Sequence, residues 1–236
     1  MKLSVLIPVY NEERTLEEVV RRVCAVQIAK EIILVDDGSK DQSRQILTRL
    51  QEENERARDP LNQIRVFFQP FNQGKGAALK TAFGHVTGDV VVIQDADLEY
   101  DPKDYPALLD PIQAAQADVV YGTRFFGGGA HRVFFFWHYV GNLMLTLISN
   151  MLTNLNLSDM EVGYKVFRAE VLKGIELKSK RFGFEPEITV KLAKKQCRFY
   201  EVPISYHGRT YAEGKKITWK DGIAALYYLI RFRLAD

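Results

Sequence analysis

The sequence has few cysteines and little excess of charge, and these two absences exclude several classes of protein. Only two cysteines occur in 236 residues, Cys24 and Cys197, and no metal-binding spacing surrounds either one. A disulfide scaffold is therefore not expected. We expect both cysteines to be buried free thiols in a protein of a reducing compartment. The formal net charge is only +2, with 32 Lys and Arg against 30 Asp and Glu. Such a balance gives no general affinity for nucleic acid, so any anion site must be local.

We expect no secretory leader, and the one long uncharged stretch of the sequence is interrupted by polar residues. The apolar segment at residues 3–8 is too short for a signal peptide and is typical of a first strand. Residues 133–157 carry no charge, but their polar residues at 142, 146, 149, 150, 153 and 154 recur every three or four positions. This spacing draws one polar stripe along a helix. We therefore expect a two-faced helix against protein or at a membrane surface, with a membrane-spanning helix as the alternative.

Short apolar runs alternate with helical stretches, which is typical of an α/β fold with a mostly parallel sheet. Strands are predicted at residues 3–9, 32–35, 64–68, 90–93, 118–121, 164–167 and 200–204, and helices at 42–56, 77–82, 102–115 and 184–195. A last helix at 219–234 is rich in aromatic residues and ends in two arginines, which suits a membrane interface or the core. No internal repeat interrupts the pattern, so we expect one domain over residues 1–236.

Three acids follow the predicted strand at residues 90–93. Asp95, Asp97 and Glu99 stand at alternate positions, where each carboxylate repels the next unless a cation or a polar ligand lies among them. Open α/β sheets bind ligands at the carboxyl ends of their strands. A divalent metal site is therefore favoured over a solvated acidic turn.

A lysine in a glycine-rich turn, Asn72-Gln73-Gly74-Lys75-Gly76, opens the helix at 77–82. Backbone N–H groups at such a turn favour phosphate. A Walker motif, however, needs glycine where Gln69 stands and serine or threonine where Gly76 stands, so an NTPase is not predicted. Lys75 is expected either to contact an anion or to be solvated.

Several motifs together resemble family-2 glycosyltransferases of the GT-A type. The order and spacing of that family match Pro8-Val9-Tyr10-Asn11-Glu12, Asp36-Asp37-Gly38-Ser39, Asn72-Gln73-Gly74-Lys75-Gly76 and Asp95-Ala96-Asp97. Gly122-Thr123-Arg124-Phe125 and the segment at residues 208–215 resemble the branch that contains dolichol-phosphate mannose synthases and polyprenyl-phosphate glycosyltransferases. The resemblance covers nearly the whole chain, from Leu3 to about Leu229.

The resemblance implies a nucleotide-sugar site with a divalent cation, Mg²⁺ or Mn²⁺. It places Pro8, Tyr10, Glu12, Val35, Asp37, Asp95 and Ala96 in the nucleoside pocket. It gives Asp95, Asp97 and Glu99 as the metal site, Asp97 and Glu99 being the main ligands, although mannose synthases often carry glutamine where Glu99 stands. Arg124, Arg209 and Lys215 would face the donor diphosphate or the acceptor phosphate, and with Asp97 they form the expected catalytic set.

The partners implied are a nucleotide sugar, GDP-mannose or UDP-glucose, a polyprenyl phosphate and a membrane surface, with no nucleic acid. Residues 1–129 would carry the nucleotide and the metal, and residues 130–236 the acceptor. Many relatives continue into transmembrane helices, whereas this sequence stops at Asp236, so we expect a peripheral enzyme at the cytoplasmic face of a membrane.

The chemistry needs no strong general base, because a lipid phosphate is already mostly ionised at neutral pH: its second pKa is about 6. This agrees with the lack of an obvious Asp-His pair near the acids. A single displacement would invert the anomeric centre. Asp159 could orient the acceptor or cap the next element. His138 could be an interfacial or core histidine or a ligand to the lipid phosphate. A transferase with a soluble acceptor and a non-catalytic nucleotide-binding protein are the alternatives.

Overall fold

The alternating pattern folds into one mixed sheet of seven strands flanked by helices. A computed structural model describes residues 1–125, 135–181, 183–209 and 219–235, without the side chains of residues 219 and 220. The strands are β1 (Leu3–Val9), β2 (Lys30–Asp36), β3 (Asn62–Phe68), β4 (Val90–Ile93), β5 (Val119–Thr123), β6 (Lys165–Arg168) and β7 (Phe199–Pro203).

The helices that flank the sheet are α1 (Leu16–Ala25), α2 (Ser43–Ala57), α3 (Lys75–Phe83), α4 (Tyr105–Gln113), α5 (Phe136–Thr153), α6 (Ala169–Leu172), α7 (Phe184–Lys194) and α8 (Trp219–Leu234). The helix predicted at residues 102–115 begins with a separate 3₁₀ turn, Pro102–Asp104, because the Asp101 carboxylate caps it by accepting from the Lys103 N–H at 3.0 Å. Cys24 and Cys197 are free, as predicted, but only half-buried.

The strand order is β3-β2-β1-β4-β6-β5-β7. β1 pairs in parallel with β2 and β4, β2 with β3, and β5 with β7, whereas β6 runs antiparallel to both β4 and β5. The carboxyl ends of all strands except β6 therefore lie at one edge of the sheet. The residues that enter β6 arrive at that same edge from the other direction.

Burial on both faces explains why the central strands are nearly continuous apolar runs. All four residues of β4 and all seven of β2 are buried. α1 packs on the sheet through Leu16, Val19, Val20 and Val23, a three-to-four spacing that puts them on one helical face. One hydrophobic core cluster includes residues from β1 to α8, so both halves of the chain share it.

α5 has the two faces that its polar stripe predicted. The stripe faces the protein, with Thr146 and Ser149 buried, whereas large apolar residues face outward, led by Trp137 at 78% and Met151 at 77% exposure. The first residues of the predicted stretch, 133 and 134, lie outside the described part of the chain. Among the helices that the structure describes, none is both long enough and apolar enough to span a membrane. α8 packs against α5 and α7.

Candidate active site

The strand directions gather most of the predicted site residues at one edge of the sheet. Glu12 follows β1, Asp37 follows β2, the acids at residues 95–99 follow β4, Arg124 follows β5, and Arg209 follows β7. The antiparallel strand β6 adds the residues before it, 158–164, to the same edge.

Arg209 binds the acidic cluster. Its guanidinium donates to Asp97 at 2.6 Å and to Glu99 at 3.3 Å, and it lies 3.5 Å from Glu12. The backbone N–H of Arg209 also donates to Glu99, at 3.0 Å. All four side chains are largely shielded from solvent, which makes these charge-assisted hydrogen bonds stronger than the same contacts at an exposed surface.

The acidic cluster still carries excess negative charge despite Arg209. Burial, followed by the charges of Asp95 and Glu99, raises the pKa of Asp97 to about 7, and Arg209 only partly opposes this rise. Within the described residues no group of three or more His, Cys, Asp or Glu side chains is arranged to hold a metal ion. The carboxylates are instead engaged by the cations of the protein itself.

The donor set nevertheless fits a hard divalent cation. Asp97 and Glu99 offer carboxylate oxygens, the ligands that Mg²⁺ and Mn²⁺ prefer. The Arg209 guanidinium bridges these two carboxylates and so marks the position where the cluster stabilises a positive charge. A cation could therefore replace the contacts that Arg209 makes, and Asp95 would have to leave its own partner to join them.

The partner of Asp95 is Lys75. The Lys75 ammonium lies 2.8 Å from Asp95 and 3.0 Å from Glu185 of α7. Burial by itself would lower the pKa of this amine, but the charges of Asp95 and Glu185 outweigh burial and raise the pKa above its usual range. Lys75 is therefore not solvated, and its ammonium binds two carboxylates of the protein itself.

Two glycines allow the close packing around this ion pair. A Cβ at Gly76 would lie 2.5 Å from the Ser179 carbonyl oxygen, so the chain before α7 lies directly on the start of α3. A Cβ at Gly163 would overlap the Asp95 carboxylate and come within 2.8 Å of the Tyr100 ring. A larger residue at Gly163 would displace Asp95 or Tyr100, and one at Gly76 would displace the chain before α7.

The residues expected around the nucleoside differ in their exposure. Pro8, Tyr10 and Glu12 are partly exposed, whereas Val35 lies fully within the hydrophobic core and Ala96 is buried. Asp37 is also buried, and its two carboxylate oxygens accept from the Gln73 N–H at 2.8 Å and the Gly74 N–H at 2.7 Å. Burial nevertheless raises the pKa of Asp37. Asp37 thus joins the turn after β2 to the start of α3.

Arg124 is held on the other side of the acidic cluster by Asp159. The guanidinium makes a bidentate pair with this fully buried carboxylate, at 2.6 and 2.7 Å. Asn142 of α5 completes the arrangement, because it accepts from Arg124 at 3.3 Å and donates to Asp159 at 3.2 Å. Asp159 therefore orients Arg124, and among the described residues it caps no helix.

Glu201 and Tyr206 also belong to the site, and neither was predicted from the sequence. Glu201 of β7 accepts from the Ser158 N–H at 2.8 Å and from its hydroxyl at 2.9 Å, which fixes the turn before Asp159. The Tyr206 hydroxyl donates to Glu99 at 3.0 Å. Pro203 indicated only an edge strand at residues 200–204, and the signal that this segment returns to the site was the resemblance that placed Arg209 there. Lys215 lies outside the described residues, and His138 lies on α5 near the ring of Phe135.

Sequence comparisons connect the chain to proteins of known family. The family model described as Glycosyl transferase family 2 matches residues 4–175. The chain is 30% identical to the undecaprenyl-phosphate mannosyltransferase of Micrococcus luteus, over 91% of this chain and 87% of the relative. It is 31% identical to the dolichol-phosphate mannosyltransferase of Pyrococcus furiosus and 30% identical to the undecaprenyl-phosphate 4-deoxy-4-formamido-L-arabinose transferase of Sodalis glossinidius. The match covers 91% of this chain in each case, but only 59% and 62% of those two longer relatives.

Solved structures share the fold. Glucosyl-3-phosphoglycerate synthase from Mycobacterium tuberculosis, crystallised with Mn²⁺, UDP and phosphoglyceric acid, matches with a TM-score of 0.73 at 19% identity, over 100% of this chain and 79% of that one. The same synthase with Mg²⁺ and UDP gives a TM-score of 0.69 at 18% identity, over 98% of this chain and 79% of that one. At such identities the likeness shows the fold alone, and it confirms the predicted GT-A fold class with its C-terminal helix.

Proposed function

The chain belongs to glycosyl transferase family 2, and from this membership we propose that it transfers a hexose from a nucleoside diphosphate sugar to a dolichyl or polyprenyl phosphate. One observation carries the proposal: the carboxylates of Asp97 and Glu99 share a shielded site edge with Arg209 and Arg124. Such a site can hold two anionic reactants together with a cation. Relatives at 30–31% identity whose names state transfer with dolichol phosphate or undecaprenyl phosphate support this acceptor class.

On the donor side, Pro8, Tyr10, Glu12, Asp37 and Ala96 would surround the nucleoside, with Val35 supporting them from the core. Asp95, Asp97 and Glu99 would hold Mg²⁺ or Mn²⁺, which as a Lewis acid would stabilise the charge that develops on the departing nucleoside diphosphate. Arg209 would then exchange carboxylate oxygens for phosphate oxygens. The Mn²⁺ and Mg²⁺ complexes of the similarly folded synthase support a divalent cation in this fold.

On the acceptor side, the proposed nucleophile is an oxygen of the lipid phosphate. This oxygen would form the bond to the anomeric carbon while the bond from that carbon to the diphosphate breaks. Because the phosphate is already mostly ionised at neutral pH, its second pKa being about 6, no residue has to remove a proton. Arg124, oriented by Asp159, would position the acceptor phosphate, and Lys215 would add a further positive charge. One displacement inverts the anomeric centre.

We propose that α5 and α8 bring this site to the cytoplasmic face of a membrane. Both helices expose large apolar residues: Trp137, Met144, Leu147 and Met151 on α5, and Ile223, Tyr227, Ile230 and Leu234 on α8. Arg231 and Arg233, in the last turn of α8, are also exposed. An apolar face next to cationic side chains suits an interface with anionic lipid, to which each such cation adds about 1 kcal/mol. Residues 130–236 would thus supply the lipid side of one catalytic domain.

The test offers the purified protein UDP-glucose or GDP-mannose, each with Mn²⁺ and a short polyprenyl phosphate. Mass spectrometry should identify a hexosyl phospholipid, and NMR of the product should show an inverted anomeric configuration. A retained configuration would contradict the single displacement. Transfer only to a soluble sugar would replace the lipid acceptor, and nucleotide binding without any product would favour a non-catalytic protein.

A further inference from the structure

Tyr206 lies between the two groups of charged residues that make up the site. It follows β7 and forms an isolated antiparallel bridge with Tyr100, whose ring lies 5.3 Å from its own. Tyr100 is itself fixed, because its hydroxyl accepts from the Gly163 N–H at 2.9 Å and its ring stacks on Tyr164. The ring of Tyr206 therefore has a defined position that does not depend on its hydroxyl group.

The side chain of Tyr206 connects one group to the other. Its hydroxyl donates to Glu99 at 3.0 Å. The Arg124 guanidinium also lies over the Tyr206 ring, 5.2 Å from its centroid. In the part of the chain that the structure describes, Tyr206 is thus the side chain that contacts both Glu99 and Arg124.

The donor and acceptor roles fix the direction of this connection. A phenol has one donor, whereas a carboxylate only accepts. The proton of Tyr206 therefore points to Glu99, and the Arg124 guanidinium lies over the ring of the same side chain. If the Glu99 carboxylate is reoriented, the favoured position of the Tyr206 side chain changes with it. The Arg124 guanidinium, which contacts Tyr206, is then affected as well.

We propose that Tyr206 is a positioning residue that couples cation binding at Glu99 to binding of the acceptor phosphate at Arg124. This inference rests on the proposed function. A group that hydrogen-bonds a metal ligand without touching the metal sets the orientation of that ligand, and its loss typically costs about 10- to 100-fold in metal affinity. Because coupling between two ligands is reciprocal, Mn²⁺ and the lipid phosphate should each tighten the binding of the other by the same factor.

The experiment measures this factor by calorimetry, with Mn²⁺ alone and citronellyl phosphate alone as probes, each titrated with and without the other. Couplings of this kind are typically about 5-fold or more. In the wild-type protein we expect a factor of that size, equal in both directions. In Tyr206→Phe, which keeps the ring on Tyr100, we expect the factor to fall several-fold. Tyr105→Phe is the matched control, because it removes a buried hydroxyl that bonds Gln94 instead.

Each outcome decides between the two claims. Equal factors in the wild type and in Tyr206→Phe, or no coupling in the wild type, would overturn the role of Tyr206 while leaving the proposed function intact. A wild-type protein that binds neither Mn²⁺ nor citronellyl phosphate would overturn the proposed function itself. An equal loss of coupling in Tyr105→Phe would indicate a general structural effect and would also count against Tyr206.

Discussion

The guanidinium of Arg209 lies 2.6 Å from the carboxylate of Asp97 and acts as the counter-ion of the acidic cluster. Asp97→Asn keeps the shape of this side chain but removes one negative charge from the proposed cation site. Since a metal ion contributes several kcal/mol to charge stabilisation, and about 1.4 kcal/mol is tenfold in rate, turnover should fall by at least about 100-fold. Release of nucleoside diphosphate in the presence of Mn²⁺ and a short polyprenyl phosphate measures this loss.

Asp101→Asn is the matched control for this change. Asp101 lies four residues further along and caps the Lys103 N–H, a task that asparagine performs equally well. Its activity should equal that of the wild-type protein. An Asp97→Asn variant as active as Asp101→Asn would show that the acidic cluster is not the catalytic centre.

The Gly163→Ala variant tests how closely the site is packed around Asp95. In Gly163→Ala the new methyl group would overlap the Asp95 carboxylate and the Tyr100 ring, so one of them must move. We expect a loss of about 1–3 kcal/mol in the free energy of unfolding, together with reduced turnover. Urea unfolding and steady-state rates measure the two effects.

Gly141→Ala provides the comparison, because a Cβ at this position in α5 has no neighbouring atom within 4 Å. Alanine in a helix interior stabilises by about 0.5–1 kcal/mol relative to glycine. If Gly163→Ala behaved like Gly141→Ala, the packing of Asp95 against the chain before β6 would have no effect on stability or on the site.

Local patterns predicted most of the fold. The apolar run of β4 and the helical spacing of α1 specify their elements because burial acts directly on side-chain type. The direction of β6 was not specified, since nothing in a four-residue strand such as Lys165–Arg168 distinguishes its two directions. That direction matters, because it brings Asp159 and Gly163 to the edge where the other strands end.

Long-range pairing within the site was less predictable. The acids after β4 and the arginines after β5 and β7 were identified as site residues, but which cation binds which carboxylate depends on side-chain packing across the whole sheet. Lys75 is an example. Its glycine-rich turn suggested an anion or solvent, whereas α7 folds over it and supplies Glu185 as a second partner 3.0 Å away.

Glu161 should make stability depend on pH. One of its carboxylate oxygens is buried without a hydrogen-bond partner among the described residues, and burial together with the charge of Glu185 raises its pKa from 4.5 to about 8. The stabilisation linked to the protonated form is complete below the unfolded pKa of 4.5 and is lost as the pH rises through about 8. Glu161→Gln removes this dependence. The free energy of unfolding of this variant minus that of the wild type should therefore rise with pH, by at most about 1.4 kcal/mol per pH unit.

Chemical denaturation between about pH 5 and pH 8 measures this difference. Glu176→Gln is the control, because its side chain is 73% exposed, and its curve should run parallel to that of the wild type. A Glu161→Gln curve that also ran parallel to the wild type would mean that Glu161 ionises normally in the folded protein.

The apolar face of α5 should bind membranes. Leu147 and Met151 lie one helical turn apart and are 60% and 77% exposed. Burial of each side chain contributes about 1.5–3 kcal/mol, so the double variant Leu147→Glu, Met151→Glu should bind vesicles at least about tenfold more weakly. Sedimentation with vesicles of phosphatidylglycerol measures the loss, and Leu61→Glu, at an exposed apolar residue just before β3, should bind like the wild type.

Turnover separates an interfacial role of this face from damage to the fold. With water-soluble citronellyl phosphate, the double variant should be as active as the wild type, because no membrane has to be reached. With a long polyprenyl phosphate embedded in vesicles, its activity should fall in proportion to its weaker binding. Equal losses with both acceptors would place the defect in the site, through the Asn142 contact to Arg124 and Asp159 on the opposite side of the same helix. Vesicle binding and turnover unchanged from the wild type would show that this apolar face does not contact the membrane.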